Sequence, residues 1–100
     1  METKTFNNNG VNLSYNKYGS GNKTVIFVHG NSENNTLFLD IINQLSKLQE
    51  GYCVYAPDTR SHGKSGKVKR LDYQDIADDI ANLIEHENIK SPILFGFSDA

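Results

Sequence analysis

The nine residues Pro92-Ile93-Leu94-Phe95-Gly96-Phe97-Ser98-Asp99-Ala100 decide the reading of this chain. A short apolar run of strand character enters Gly96-Phe97-Ser98-Asp99-Ala100, the pattern of a strand-to-helix turn that lifts one serine from the end of a buried sheet. Serine is a poor nucleophile at neutral pH unless a neighbouring base takes its proton. A sharp turn exposes the hydroxyl, strains the backbone and aims the next N–H at a developing oxyanion. Small residues two positions either side let strand and helix approach, and Gly96 and Ala100 fill those places. The G-x-S-x-G elbow pattern is met except that alanine takes the last glycine's place.

Working outward, one hundred residues make one domain at most. A composition of 37% hydrophobic and 22% charged residues, with mean hydropathy −0.54, is that of an ordinary globular chain. Net charge −2 and a pI near 5.8 give no electrostatic case for nucleic acid or an anionic membrane. The single Cys53 excludes an internal disulfide, and its apolar run Tyr52-Cys53-Val54-Tyr55-Ala56 reads as a place for a buried structural thiol. No apolar run approaches the ~20 residues of a membrane span, and Met1-Glu2-Thr3-Lys4 carries no signal-peptide core. The N-x-S/T triplets at Asn12, Asn22 and Asn34 are therefore read as incidental, and a cytoplasmic location is expected.

The elements follow from pattern. Lys4-Thr5-Phe6 and Val11 to Tyr15 flank Asn7-Asn8-Asn9-Gly10, a hairpin whose Asn-Gly pair tolerates positive φ. Gly19-Ser20-Gly21-Asn22 is a turn. Thr24 to Val28 is apolar without alternation, the mark of a strand buried on both faces, closed by His29-Gly30-Asn31. Leu37, Phe38, Ile41, Ile42, Leu45 and Leu48 fall at helical spacing, with Gly51 placed to end that helix. Tyr52 to Ala56 is a strand stopped by Pro57, and 58–70 is a polar loop. Tyr73, Ile76, Ala77, Ile80, Leu83 and Ile84 make an apolar helix face behind Asp72 as N-cap, with Asp75 and Asp78 at the positive end of the dipole. Pro92 opens the last strand. This order predicts an α/β fold: a mostly parallel sheet with helices on both faces, of about five strands and two helices.

Three stretches together resemble the α/β-hydrolases. Val25 to Asn31 resembles that family's strand followed by an H-G-x oxyanion loop. Ala56-Pro57-Asp58-Thr59-Arg60-Ser61-His62-Gly63-Lys64-Ser65 is similar to its D-x-R-G-x-G-x-S loop, with Ser61 where glycine is usual, and Gly96 to Ala100 resembles its nucleophile elbow. The resemblance implies an eight-stranded, mostly parallel sheet, of which residues 1–100 supply roughly the first five strands as the N-terminal part of a single domain. It implies Ser98 as catalytic nucleophile, with the backbone N–H groups of Asn31 and Asp99 forming the oxyanion hole. A serine where some relatives carry aspartate points away from haloalkane dehalogenase or epoxide hydrolase chemistry, towards hydrolysis of a small ester or related acyl compound through an acyl-enzyme.

The family's triad acid and histidine follow the serine in chain order, so both are expected beyond Ala100, as is the cap that sets substrate. His29 reads as structural beside the oxyanion loop, His62 as orienting its own turn, and His86, flanked by Glu85 and Glu87, as solvated. Asp58 reads as a turn-former paired with Arg60. Gly63-Lys64-Ser65 follows a strand as a phosphate loop would, but Asp58 at the position of that motif's first glycine would repel phosphate. Gly19-Ser20-Gly21 precedes a strand instead of opening a helix, so it is no dinucleotide fingerprint. No cofactor or metal is expected. The expected partner is a small-molecule ester or acyl substrate, without nucleic acid or a membrane span. Self-association is expected through an open strand edge at 93–97. The alternative is a non-catalytic small-ligand-binding protein on the same scaffold.

Overall fold

The computed structural model describes residues 1–30, 34–46, 51–69 and 73–96. Strands β1 (Glu2–Asn8) and β2 (Val11–Gly19) form the hairpin, followed by β3 (Lys23–Val28). A 3-10 turn (Asn35–Phe38) leads into α1 (Leu39–Ser46), then come β4 (Tyr52–Pro57), α2 (Tyr73–His86) and β5 (Ile93–Gly96). The hairpin closes through Asn9 and Gly10, at φ +51° and +87°. Two successive left-handed residues match the twist of the flanking strands, which is why Asn-Gly suits the position.

The sheet order is β1-β2-β4-β3-β5. β3 is parallel to both β4 and β5, whereas β1–β2 and β2–β4 are antiparallel. The expectation of a mostly parallel sheet therefore holds for the β4-β3-β5 half and not for the hairpin half. The reason is local: a two-residue turn can only return the chain antiparallel, whereas a helical crossover returns it parallel.

Two cores result, one on each face. Successive strand residues point to opposite sides, so Ile26, Val28, Cys53 and Tyr55 pack with Tyr15 and Leu83 under α2, with Ile80 and Ile84 against them. Val25, Phe27, Val54 and Ala56 pack with Phe38 and Ile42 under α1. Cys53 is a buried free thiol, as its apolar neighbours imply. The helix faces differ in detail from the sequence expectation. Ile41, Tyr73 and Ala77 are exposed, and Asp79 occupies a buried place on α2. Gly51 adjoins β4, where its carbonyl accepts from the Lys23 N–H at 3.0 Å. The side chain of Leu37, and Leu48 and the expected cap Asp72, lie outside the described residues.

β5 pairs with β3 along one edge, and among the described residues no strand pairs with its other edge. Ile93, Leu94 and Phe95 are 60%, 56% and 46% exposed. No helix among the described residues is long and apolar enough to cross a membrane.

The C-terminal end of α2 is tied to the sheet by one carboxylate. Glu87 accepts from the Tyr15 hydroxyl and, at 3.2 Å, from the Tyr55 hydroxyl. Lys4 Nζ lies 3.1 Å and Lys17 Nζ 3.8 Å from it. Burial pushes Glu87 up, but the hydrogen bonds from Tyr15 and Lys4 outweigh it, and the carboxyl sits below its ordinary range. Burial, reinforced by Glu87, pushes the Tyr15 hydroxyl well up, so it stays a donor. A carboxylate with a depressed pKa adds stability above its ordinary value of about 4.3, and that stability disappears as pH falls through the lowered one. In urea unfolding, Glu87→Gln is therefore expected to destabilise most near neutral pH, with the gap from wild type closing below roughly pH 4. A gap independent of pH would refute the assignment.

Candidate active site

The candidate site lies at the carboxyl ends of the parallel strands, where open α/β sheets bind ligands. β3 and β5 run in parallel register with Val28 opposite Gly96. The chain therefore leaves β5 level with the point where His29-Gly30 leaves β3, while Asp58 leaves the neighbouring β4. Asn31, Phe97, Ser98, Asp99 and Ala100 lie outside the described residues. What the structure describes is the framework around them.

His29 is 2% exposed. Its Nε2 accepts from the Thr59 N–H at 3.0 Å, and its Nδ1 stands 2.8 Å from the Gly30 carbonyl oxygen. Since an amide can only donate and a carbonyl can only accept, the ring is the neutral Nδ1–H tautomer. Its ring meets that of His62 edge to face at 5.1 Å. His62 Nδ1 lies 3.0 Å from both the Arg60 carbonyl oxygen and Thr59 Oγ1, so the expectation that His62 orients its own turn holds. His86 is exposed, and its ring also stacks on Phe6 at 5.2 Å.

The loop after β4 is held by its own polar groups together with ties to Ser14, His29 and Asp79. Asp58 Oδ2 accepts from the Lys64 N–H at 2.9 Å. Ser65 Oγ donates to the Asp58 carbonyl at 2.6 Å and accepts from the Ser14 N–H at 2.8 Å. Gly63 has φ +51°, and a Cβ there would stand 2.3 Å from the Asp58 carboxylate. Asp58 is thus a turn-former, but it does not pair with Arg60 as expected from the sequence. Arg60 reaches instead to α2, where Nε and Nη2 donate to the two Asp79 oxygens at 2.7 Å each, with Asp75 3.6 Å from Nη1. The Asp79 hydrogen bonds hold the guanidinium still more firmly protonated than usual. Asn8 Nδ2 donates to Asp79 at 2.7 Å, and Asn82 donates to Asn8 at 3.1 Å. Hairpin, loop and helix thereby share one buried carboxylate. Removing one partner of such a pair leaves an uncompensated charge, typically a loss of about 3–5 kcal/mol.

Asp79 and Thr59 escaped the sequence reading. Asp79 had a signal: it stands three residues from Ile76 and four from Leu83, on the apolar side of the helical period. Thr59 acts through its backbone, which no residue type announces. Among the described residues no group of three His, Cys, Asp or Glu side chains is gathered to hold a metal ion.

A family model described as the α/β hydrolase fold matches residues 23–98, and the chain belongs to that family. Over 74 residues it is 30% identical to ethanol acetyltransferase 1 of Hanseniaspora uvarum, covering 74% of this chain and 22% of that protein. Over 77 residues it is 34% identical to a Haemophilus influenzae protein named as an esterase/lipase, covering 74% of this chain and 25% of that one. The chain thus spans about a quarter of the length of these curated relatives. An esterase from Exiguobacterium antarcticum superposes with a TM-score of 0.80 at 34% identity, over 89% of this chain and 32% of that one.

Ser61, standing where the family's loop usually has glycine, adopts φ +66°. Left-handed backbone costs a residue with a Cβ roughly 1–2 kcal/mol, here partly offset because Ser61 Oγ accepts from the Val68 N–H at 2.9 Å. Ser61→Ala loses that bond and keeps the strain, whereas Ser61→Gly loses the bond and relieves it. The glycine variant is expected to be the more stable of the two by about 1 kcal/mol in chemical unfolding. Equal stabilities would show the turn to be unstrained.

Proposed function

We propose that these residues are the nucleophile-bearing, N-terminal part of an α/β-hydrolase that cleaves a small ester or related acyl compound through an acyl-enzyme on Ser98. The carrying observation is the parallel register of β3 and β5, which brings His29-Gly30 and the chain running to Ser98 to the same end of the sheet. In this reading the N–H groups of Asn31 and Asp99 bind the tetrahedral oxyanion, each such donor typically contributing ~3 kcal/mol to the transition state. The esterase names among the relatives support acyl chemistry; the ethanol acetyltransferase adds an alcohol to water as a class of acyl acceptor.

A serine needs a base, and the described histidines are committed elsewhere. Both nitrogens of His29 are engaged, His62 Nδ1 serves its own turn, and His86 stands on the far end of α2. The base and its acid therefore come from outside these one hundred residues in this proposal. Intact mass of the protein as isolated, before and after fluorophosphonate treatment, is expected to show one adduct, mapped to the Ser98 peptide and abolished by Ser98→Ala. No adduct on folded protein would replace this reading with a ligand-binding protein on the same scaffold.

The proposed partners are the small acyl substrate and a second copy of the chain, with neither nucleic acid nor a membrane span. Self-association through β5 is supported by an edge that no strand pairs among the described residues and by the exposed Ile93, Leu94 and Phe95. Light scattering on the 100-residue chain is expected to give a concentration-dependent mass above 11.2 kDa that falls to the monomer in Leu94→Lys. A wild-type chain that stays monomeric at every concentration would refute the contact.

A further inference from the structure

We propose that Asn9 is a modification site: its side chain converts without an enzyme to aspartate and isoaspartate, through a cyclic imide closed by the Gly10 nitrogen, and Asn7 sets the rate by holding the Gly10 N–H. Asn9-Gly10 is the one Asn-Gly pair in the sequence. Both residues are exposed at the tip of the β1–β2 hairpin, so water reaches them. The Gly10 nitrogen is unhindered, since glycine has no side chain and nothing stands within 4 Å of the place a Cβ would take. The three consecutive asparagines are not alike. Asn7 Nδ2 donates to Asn12 Oδ1 at 2.9 Å, while the buried Asn8 donates to Asp79 at 2.7 Å and accepts from Asn82 at 3.1 Å. Among the described residues the Asn9 side chain makes no hydrogen bond, and it alone of the three precedes a residue without a Cβ.

The chemistry balances with water as the co-reactant. The Gly10 nitrogen gives its proton to solvent hydroxide and attacks Asn9 Cγ; a C–N bond forms, the Cγ–Nδ2 bond breaks, and ammonia leaves with a proton taken back from water. Water then opens the five-membered imide at one carbonyl or the other. One opening gives aspartate, and the other gives isoaspartate, in which the main chain runs through Cβ and Cγ. The nitrogen must first lose its proton, and here its N–H donates to Asn7 Oδ1 at 3.0 Å. A hydrogen bond made by the protonated form disfavours that loss. Asn7 is itself held by Asn12, its register partner across the strand pair, so the guard is part of the hairpin. Ring closure also swings the Asn9–Gly10 peptide out of its left-handed turn, at φ +51° and +87°, which breaks the same contact. The two products differ in consequence. Asp-Gly suits a two-residue turn as Asn-Gly does, whereas isoaspartate lengthens the backbone beside the Asn8–Val11 pair. Asn8 carries the hairpin's tie to Asp79, so isoaspartate loosens that tie.

Ageing the chain in mildly alkaline buffer, then mapping it by mass spectrometry with electron-transfer fragmentation, reads both products, because that fragmentation separates isoaspartate from aspartate. Conversion is expected first at Asn9, and faster as pH rises. In Asn7→Ala, Asn9 is expected to convert roughly fivefold faster than in wild type, the size of one ordinary hydrogen bond. In Asn7→Asp, whose carboxylate holds the Gly10 N–H more strongly, it is expected to convert more slowly than in wild type. Both substitutions remove the Nδ2 donor to Asn12, so loosening of the hairpin alone would speed conversion in both. Should Asn7→Ala lose the hairpin, seen as lost amide-exchange protection along β1 and β2, the comparison of wild type with Asn7→Asp decides. The isoaspartate form, separated by chromatography, is expected to unfold at lower urea than the aspartate form. An Asn9 that converts no faster than the chain's other asparagines overturns the site. Conversion in Asn7→Asp as fast as in wild type, or faster, overturns the guard, and equal urea midpoints for the two products overturn the loosening.

Discussion

The buried Arg60–Asp79 pair is the interaction on which the rest of this structure depends. Its two hydrogen bonds of 2.7 Å join the loop after β4 to the middle of α2, and Asn8 brings the N-terminal hairpin to the same carboxylate. An ion pair in such a place gains its Coulomb energy only by giving up solvation on both partners, so it is tolerated where its hydrogen bonds are complete. Here the carboxylate accepts from Arg60 through both oxygens and from Asn8, and among the described residues no buried side-chain polar atom lacks a partner. What the pair confers is position. It determines how three segments, far apart in sequence, meet at one corner of the sheet.

From that corner, order passes towards the strand ends. Arg60 anchors the turn, Thr59 presents its amide to His29, and His29 takes hold of the Gly30 carbonyl. The loop that resembles the family's D-x-R-G-x-G-x-S stretch has a structural use: Asp58 accepts from the Lys64 N–H, Ser65 bonds back to the Asp58 carbonyl, and the glycine at 63 leaves room for the carboxylate. Polar residues crowded near a site are readily taken for chemistry. In this loop Asp58, Ser61 and Ser65 shape backbone, while Arg60 ties the loop to α2.

The two ends of the sheet are built on different terms. The hairpin side is stabilised by local pairing, a left-handed Asn-Gly turn and the cluster around Glu87, just past the end of α2. The β5 side has four paired residues on β3, and ring contacts of Phe95 with Phe27 at 5.6 Å and Phe38 at 6.0 Å. Its exposed apolar residues mark the side of the fold where coverage is least among the described residues.

Much of the architecture was legible in the residues themselves. A short uninterrupted apolar run between turn signals reads as a strand covered on both faces, which is what Val25 to Val28 became, and Asn9-Gly10 names its own turn because few residues accept positive φ. Helical spacing located both helices but overstated their apolar faces: Ile41 and Tyr73 obey the period yet are exposed. Three things were decided only by tertiary structure. The partner of Arg60 is Asp79, nineteen residues away, in preference to Asp58 two residues away, because Asp58 is drawn into its own loop while the helix presents a carboxylate edge-on. The strand order, with β4 between β2 and β3, depended on which edge of β4 the hairpin met. The role of His29 depended on a backbone amide from another strand's loop, and a backbone amide has no letter in the sequence.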